Sequence, residues 1–169
     1  MSDRAYLDIE TSFTGKITVV GIYFPELEII QLVGDEITHA SLVDALSPAG
    51  TIVTYNGNRF DLPVIKKRIG LDLRAQFLSC DLMYDCWRQG FYGGLKGVEN
   101  QLGISRQTKG VTGGDAPVLW ERYERKGDRE ALELLLKYNR DDVMNLVVLE
   151  QLLSGRTEFS AQIWYSGEV

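Results

Sequence analysis

The chain has 169 residues, 44% hydrophobic and 25% charged, enough for a sizeable core and without a low-complexity tract. A net charge of −6 argues against a nucleic-acid binder that works through a broad basic surface, though not against an enzyme that holds divalent cations in an acidic pocket. The single histidine, His39, removes most zinc hydrolases and any Ser-His-Asp hydrolase unable to use that position.

From the N-terminus, "MSDRAYLDIE" lacks the basic-then-apolar layout of a signal peptide, and no apolar run reaches the roughly 18 residues that span a bilayer. "AYLDIET" reads as a strand with Tyr6, Asp8 and Glu10 on one face and Leu7 and Ile9 on the other. "ITVVGIYF" and "LEIIQLV" are two further strands joined by a turn at Pro25-Glu26, which predicts an antiparallel meander. "HASLVDALS" is a short helix, and "GTIVTYN" a buried strand ended by the Asn56-Gly57 turn signal. A helix follows from about Phe60 to Ile69, with Pro63 in its first turn.

From "FLSCDLMYDCW" onward the pattern reads as helical, and Cys80 and Cys86 are too few for a zinc site or a disulfide framework. The expectation is a soluble, cytoplasmic protein with reduced cysteines. "LKGVENQLGI" and "DAPVLWERYERKG" are short helices, the second with Asp115 as N-cap and Pro117 near its start. The glycine content of "SRQTKGVTGGDA" between them predicts a mobile loop. The last helix runs from about Asp128 to Leu153, and the tail, 154–169, is open between an extra strand and a contact segment. No linker divides residues 1–169, so one domain is expected. The element order is that of a mixed α/β layout in which a right-handed crossover sets the fourth strand beside the first.

Four carboxylates stand out. Asp8 and Glu10 are two apart on a strand and project from the same face, where they repel unless a cation lies between them. For an isolated pair, the solvent-exposed polar face of an edge strand is the simpler account. Asp61 sits just after a buried strand, at a helix N-terminus, where the macrodipole alone accounts for it but ligand sites also gather. At about 100° per residue, Asp142 falls on the apolar stripe of the last helix with Ala131, Leu135, Leu146 and Leu149. Tyr138 lies one turn earlier on that face, while Asp141 falls to the side as a flank charge near Lys137 and Arg140. A carboxylate facing leucines needs an arginine, hydrogen-bond donors or a metal. Oxygen-rich sites suit Mg²⁺ or Mn²⁺, and two such ions about 4 Å apart serve phosphodiester hydrolysis.

These stretches resemble the acidic motifs of the DEDD superfamily of 3′–5′ exonucleases, which share the ribonuclease-H-like fold. "LDIET" is similar to the first motif, "YNGNRFDLPVI" to the second and "YNRDDV" to the third, with the tyrosine spacing of the tyrosine-bearing branch. The segment from "LKGVENQLGI" to "YNRDDV" further resembles small prokaryotic ribonuclease-H-like domains. The resemblance implies a mixed five-stranded sheet, three antiparallel strands followed by parallel ones, flanked by helices. It implies two ions, Mg²⁺ or Mn²⁺. Asp8 would bridge them, Glu10 and Asp142 would complete the first site, and Asp61 would serve the second, with Tyr138 orienting the attacking water.

The activity so implied is metal-dependent 3′–5′ exonuclease cleavage of single-stranded DNA or RNA ends. Asn56, Asn58 and Phe60 are the candidate substrate contacts, Phe60 by stacking on a base or, equally, as a core residue. Lys66, Lys67 and Arg68 form a basic patch, and Arg59, Arg88, Lys96 and Lys109 are scattered, most of them serving solubility. A helicase or polymerase is a candidate supplier of substrate. A structure-selective endonuclease on the same fold, or a non-catalytic nucleic-acid-binding module, are the competing readings.

Overall fold

A strand with five of its eight positions buried, residues of both faces among them, belongs at a sheet centre, and β1 (Arg4–Thr11) takes that place in the computed structural model. The structure describes residues 3–25 and 27–165, with residues 156–165 as backbone, so Glu26 of the Pro25-Glu26 turn lies outside the described residues. The five-stranded sheet has the order β3-β2-β1-β4-β5. Strands β2 (Ile17–Tyr23) and β3 (Ile30–Val33) form the expected antiparallel meander with β1. Strands β4 (Thr51–Thr54) and β5 (Leu78–Asp81) add in parallel on the other side. The carboxyl ends of β1, β4 and β5 therefore lie along one edge.

Alternation along β1 separates two cores. Ala5, Leu7 and Ile9 pack with Leu42, Leu62 and Ile65, under α1 (His39–Ala45) and α2 (Asp61–Ile69). Tyr6 joins Val143, Leu146 and Leu149 on the opposite face, under α7 (Arg129–Tyr165). Helix α1 begins where Thr38 and Ser41 exchange side-chain and backbone hydrogen bonds of 3.1 and 2.9 Å. A third cluster, Val19 with Leu119, Trp120 and Leu135, seats α6 (Ala116–Lys126) against α7 and the sheet.

Two expectations need correction. "FLSCDLMYDCW" is not helical throughout: Leu78–Asp81 is β5, and helix α4 (Leu82–Arg88) begins only after Asp81, which caps it by accepting from the Met83 N–H at 3.1 Å. The short edge strand leaves Leu78 exposed, so it shows neither an apolar run nor clean alternation. The last helix also does not end at Leu153. It continues to Tyr165, so the tail through that residue is helix rather than an added strand, and residues 166–169 lie outside the described residues. Two short helices, α3 (Leu73–Gln76) and α5 (Leu95–Leu102), complete the order. Among the described residues no helix is long and apolar enough to cross a membrane.

Candidate metal centre

The pleat of β1 turns Asp8 and Glu10 toward α7, whose apolar stripe carries Asp142 inward as its periodicity predicts. One carboxylate oxygen from each of Asp8, Glu10 and Asp142 falls within a group no more than 4.8 Å across. Glu10 Oε1 is buried with no hydrogen-bond partner in the protein. A buried acceptor left in that state, beside two further carboxylates, fits a hard divalent cation with oxygen ligands.

Asp61 sits beside this group but not within it. It is buried at the start of α2, and its Oδ1 accepts from the Ile9 N–H at 3.0 Å, between the two β1 carboxylates in sequence. Burial raises its pKa to about 7 and that of Asp142 to about 6, the latter against the pull of Arg106. Burial and then the charge of Asp142 hold the Asp8 and Glu10 carboxyls well above the usual range, with Glu10 and Asp61 adding to the effect at Asp8. Carboxyls raised in this way hold protons that a cation, were one bound, would displace.

Asn139, absent from the expected site residues, fastens Asp8. Its side-chain amide donates to Asp8 Oδ2 at 3.0 Å and to the Asp8 carbonyl at 3.2 Å, while Gln31 donates to its oxygen at 2.9 Å. Tyr138 is buried, as its place on the stripe implies. Its hydroxyl accepts from Lys96, which also lies 4.1 Å from the ring centroid. Lys96, read from the sequence as a scattered surface charge, is thus part of the site.

The partner that Asp142 requires within the protein is Arg106, which binds one Asp142 oxygen and both oxygens of Glu99, the latter at 2.7 and 2.9 Å. Neither Arg106 nor Glu99 was marked by the sequence motifs. One signal was present: Glu99 stands four residues after Leu95 and three before Leu102, an acid on the apolar face of α5. Asp141 is not a flank charge with Lys137 or Arg140. Its Oδ2 accepts from the Thr108 N–H at 2.8 Å and hydroxyl at 2.6 Å, tying the loop before α6 to α7.

The turn carrying Asn56, Asn58 and Phe60 is built on Asp81, whose two oxygens accept the Asn56 N–H at 2.7 Å and the Asn58 N–H at 3.1 Å. Asn56 holds φ +60°, a left-handed conformation that asparagine tolerates. The Asn58 side-chain oxygen is occupied by Ser79 at 2.8 Å. Phe60 is 44% exposed, so it is not a core residue and presents its ring next to Asp61. Arg59 stacks on Trp87 at 5.6 Å. Within the basic patch, Lys66 pairs with Asp72 at 2.6 Å and Arg68 donates to the Thr14 carbonyl at 2.8 Å.

The RNase_H_2 family model, described as RNase_H superfamily, matches residues 5–154. Among solved structures, the chain is similar to the family B DNA polymerase of the hyperthermophilic archaeon Pyrobaculum calidifontis, at 16% identity and a TM-score of 0.65. The match covers 89% of this chain and 24% of the polymerase, so the chain spans about a quarter of that protein's length. No curated protein matches.

Proposed function

Since the chain belongs to the RNase H superfamily, we propose that it is a divalent-metal-dependent nuclease, a 3′–5′ exonuclease of single-stranded DNA or RNA ends. The observation that carries this reading is the convergence of Asp8, Glu10 and Asp142 within 4.8 Å beside the Tyr138 hydroxyl. The likeness to part of a DNA polymerase supports a nucleic-acid substrate.

Asp8, Glu10 and Asp142 would hold one Mg²⁺ or Mn²⁺, and Asp8 with Asp61 a second. Such ions supply Lewis acidity, making water acidic near neutral pH and stabilising the leaving oxygen. Tyr138 directs its hydroxyl proton at the attacking water and fixes its approach. Asn139 keeps Asp8 in the orientation this arrangement needs. Phe60, exposed beside Asp61, stacks on the terminal base, and the turn with Asn56 and Asn58 receives the last nucleotide.

The test is an end-labelled oligonucleotide incubated with Mg²⁺ or Mn²⁺. A ladder shortening from the 3′ end supports the proposal, and internal cuts identify an endonuclease instead. Binding without turnover identifies a non-catalytic module. Asp8→Ala and Asp142→Ala should each abolish the ladder while the protein stays folded.

A further inference from the structure

We propose that Arg106, anchored by Glu99, is the positioning residue that presents Asp142 to a divalent ion. The inference rests on the metal-site reading above and extends it to a pair of residues outside the four carboxylates.

Local structure explains how Arg106 reaches the site. Helix α5 stops at Gly103, which adopts a left-handed φ of +71°, and the Ile104 N–H closes the turn on the Glu99 carbonyl at 2.9 Å. The chain doubles back, and Arg106 comes to lie over Glu99, seven residues earlier. Asn145 on α7 secures both ends of this turn, donating to Glu99 Oε1 at 2.9 Å and to the Ser105 carbonyl at 3.2 Å.

The guanidinium is therefore held from the interior. The Glu99 side chain is 1% exposed and that of Arg106 10%, so neither belongs to a mobile surface arm. One nitrogen of Arg106 serves both Glu99 oxygens, and the other reaches Asp142 and, at 3.5 Å, the Tyr138 carbonyl. With one oxygen of Asp142 fixed by this planar fork, the direction of the other is set. A buried acid on α5 is a poor way to fill a core and a good way to anchor an arginine. Outer partners that orient a ligand in this manner typically govern metal affinity.

A merely electrostatic role makes the opposite prediction. If Arg106 acts only as a positive charge near the cations, removing it together with the negative charge of Glu99 leaves net charge unchanged and, because Arg106 is the nearer of the two to Asp142, leaves metal affinity unchanged or raised. If it positions Asp142, the same change weakens binding.

The experiment compares the full-length protein with Glu99→Gln/Arg106→Met and with Arg106→Lys. Mn²⁺ affinity is read by isothermal titration calorimetry, and the metal-free melting transition establishes folding. The double variant should melt cooperatively and bind Mn²⁺ roughly 10–100-fold more weakly. Arg106→Lys keeps the charge, loses the fork, and should lose affinity to a smaller extent. A folded double variant with unchanged or tighter Mn²⁺ binding overturns the proposal. Should the double variant not fold, unchanged affinity in Arg106→Lys overturns it by the same criterion. Wild-type protein that binds Mn²⁺ but cleaves no oligonucleotide ends the nuclease reading while leaving this comparison intact. Wild-type protein that binds no Mn²⁺ overturns both.

Discussion

The Lys96 ammonium donates a hydrogen bond of 2.7 Å to the Tyr138 hydroxyl oxygen and another of 2.7 Å to the Val111 carbonyl. Lysine has donors only, so the phenol oxygen accepts and its own proton points elsewhere. Burial, followed by the charges of Asp142, Glu10 and Asp8, holds that proton on well above the ordinary tyrosine range. In the metal-free protein Tyr138 therefore keeps its proton near neutral pH.

Removing that donor should slow turnover without changing how rate responds to pH. For Tyr138→Phe we expect a loss on the order of 10²-fold in single-turnover cleavage of a labelled oligonucleotide, with Mn²⁺ affinity retained. The rate profile between about pH 6 and 9 should keep its wild-type shape. A limb that disappears in the variant would show that the phenol titrates after all. Lys96→Met, which frees the hydroxyl to rotate, should slow cleavage in the same direction.

Crowded carboxylates oppose folding when no cation is present. Asp8 feels Asp142, Glu10 and Asp61, and against them the Asn139 amide favours its charged form. Asp8→Asn removes one charge and keeps an acceptor for Asn139. We expect the metal-free protein to gain roughly 0.5–2 kcal/mol, measured by denaturant unfolding, and to lose both Mn²⁺ binding and cleavage. A variant less stable than wild type would mean that the charges of the cluster are already compensated.

The same repulsion gives stability a defined pH dependence. In the folded, metal-free protein Asp61 titrates at about 7 and Asp142 at about 6, both above the ordinary 3.8. A folded-state pKa above the unfolded one means the folded state binds protons more tightly. The stabilisation from these two groups is therefore complete below the unfolded pKa and is lost as pH rises through 6 and then 7. A divalent ion replaces the lost protons, so the rise in melting temperature produced by Mg²⁺ should be small near pH 5 and grow toward pH 8. Taking the difference with and without Mg²⁺ at each pH cancels the contributions of distant carboxylates. A rise that shrinks with pH would contradict a site built from ionised Asp61 and Asp142.

Features set by a local period were legible in the sequence. The two-residue spacing of Asp8 and Glu10 and the helical phase of Tyr138 and Asp142 each place side chains on one face, and those faces meet. Partners brought together by tertiary packing were not. No period links Glu99, Arg106 and Asp142, because their meeting depends on the turn at Gly103 and on α5 packing beside α7. Asp81 escaped notice for the same reason: its role is to receive two N–H groups from a turn more than twenty residues away. Strand β5 was hidden by its length and edge position, which remove the alternation a longer strand would show.

Gly21 is where the sheet and the site constrain each other most tightly. It stands opposite Asp8 across the β1–β2 pair, directly beneath α7. A Cβ there would lie 2.3 Å from Asn139 Oδ1 and 2.8 Å from Val143 Cγ2. Gly21→Ala must therefore lift α7 or rotate Asn139 away from Asp8. We expect a stability loss of roughly 1–3 kcal/mol in denaturant unfolding, and a fall in cleavage that persists at temperatures where the variant is fully folded. Adding Asn139→Ala removes the nearer clash and should recover part of the stability but none of the cleavage, since Asp8 then has no amide to orient it. Recovery of both together would show that Gly21 serves packing alone and that Asp8 needs no help from Asn139.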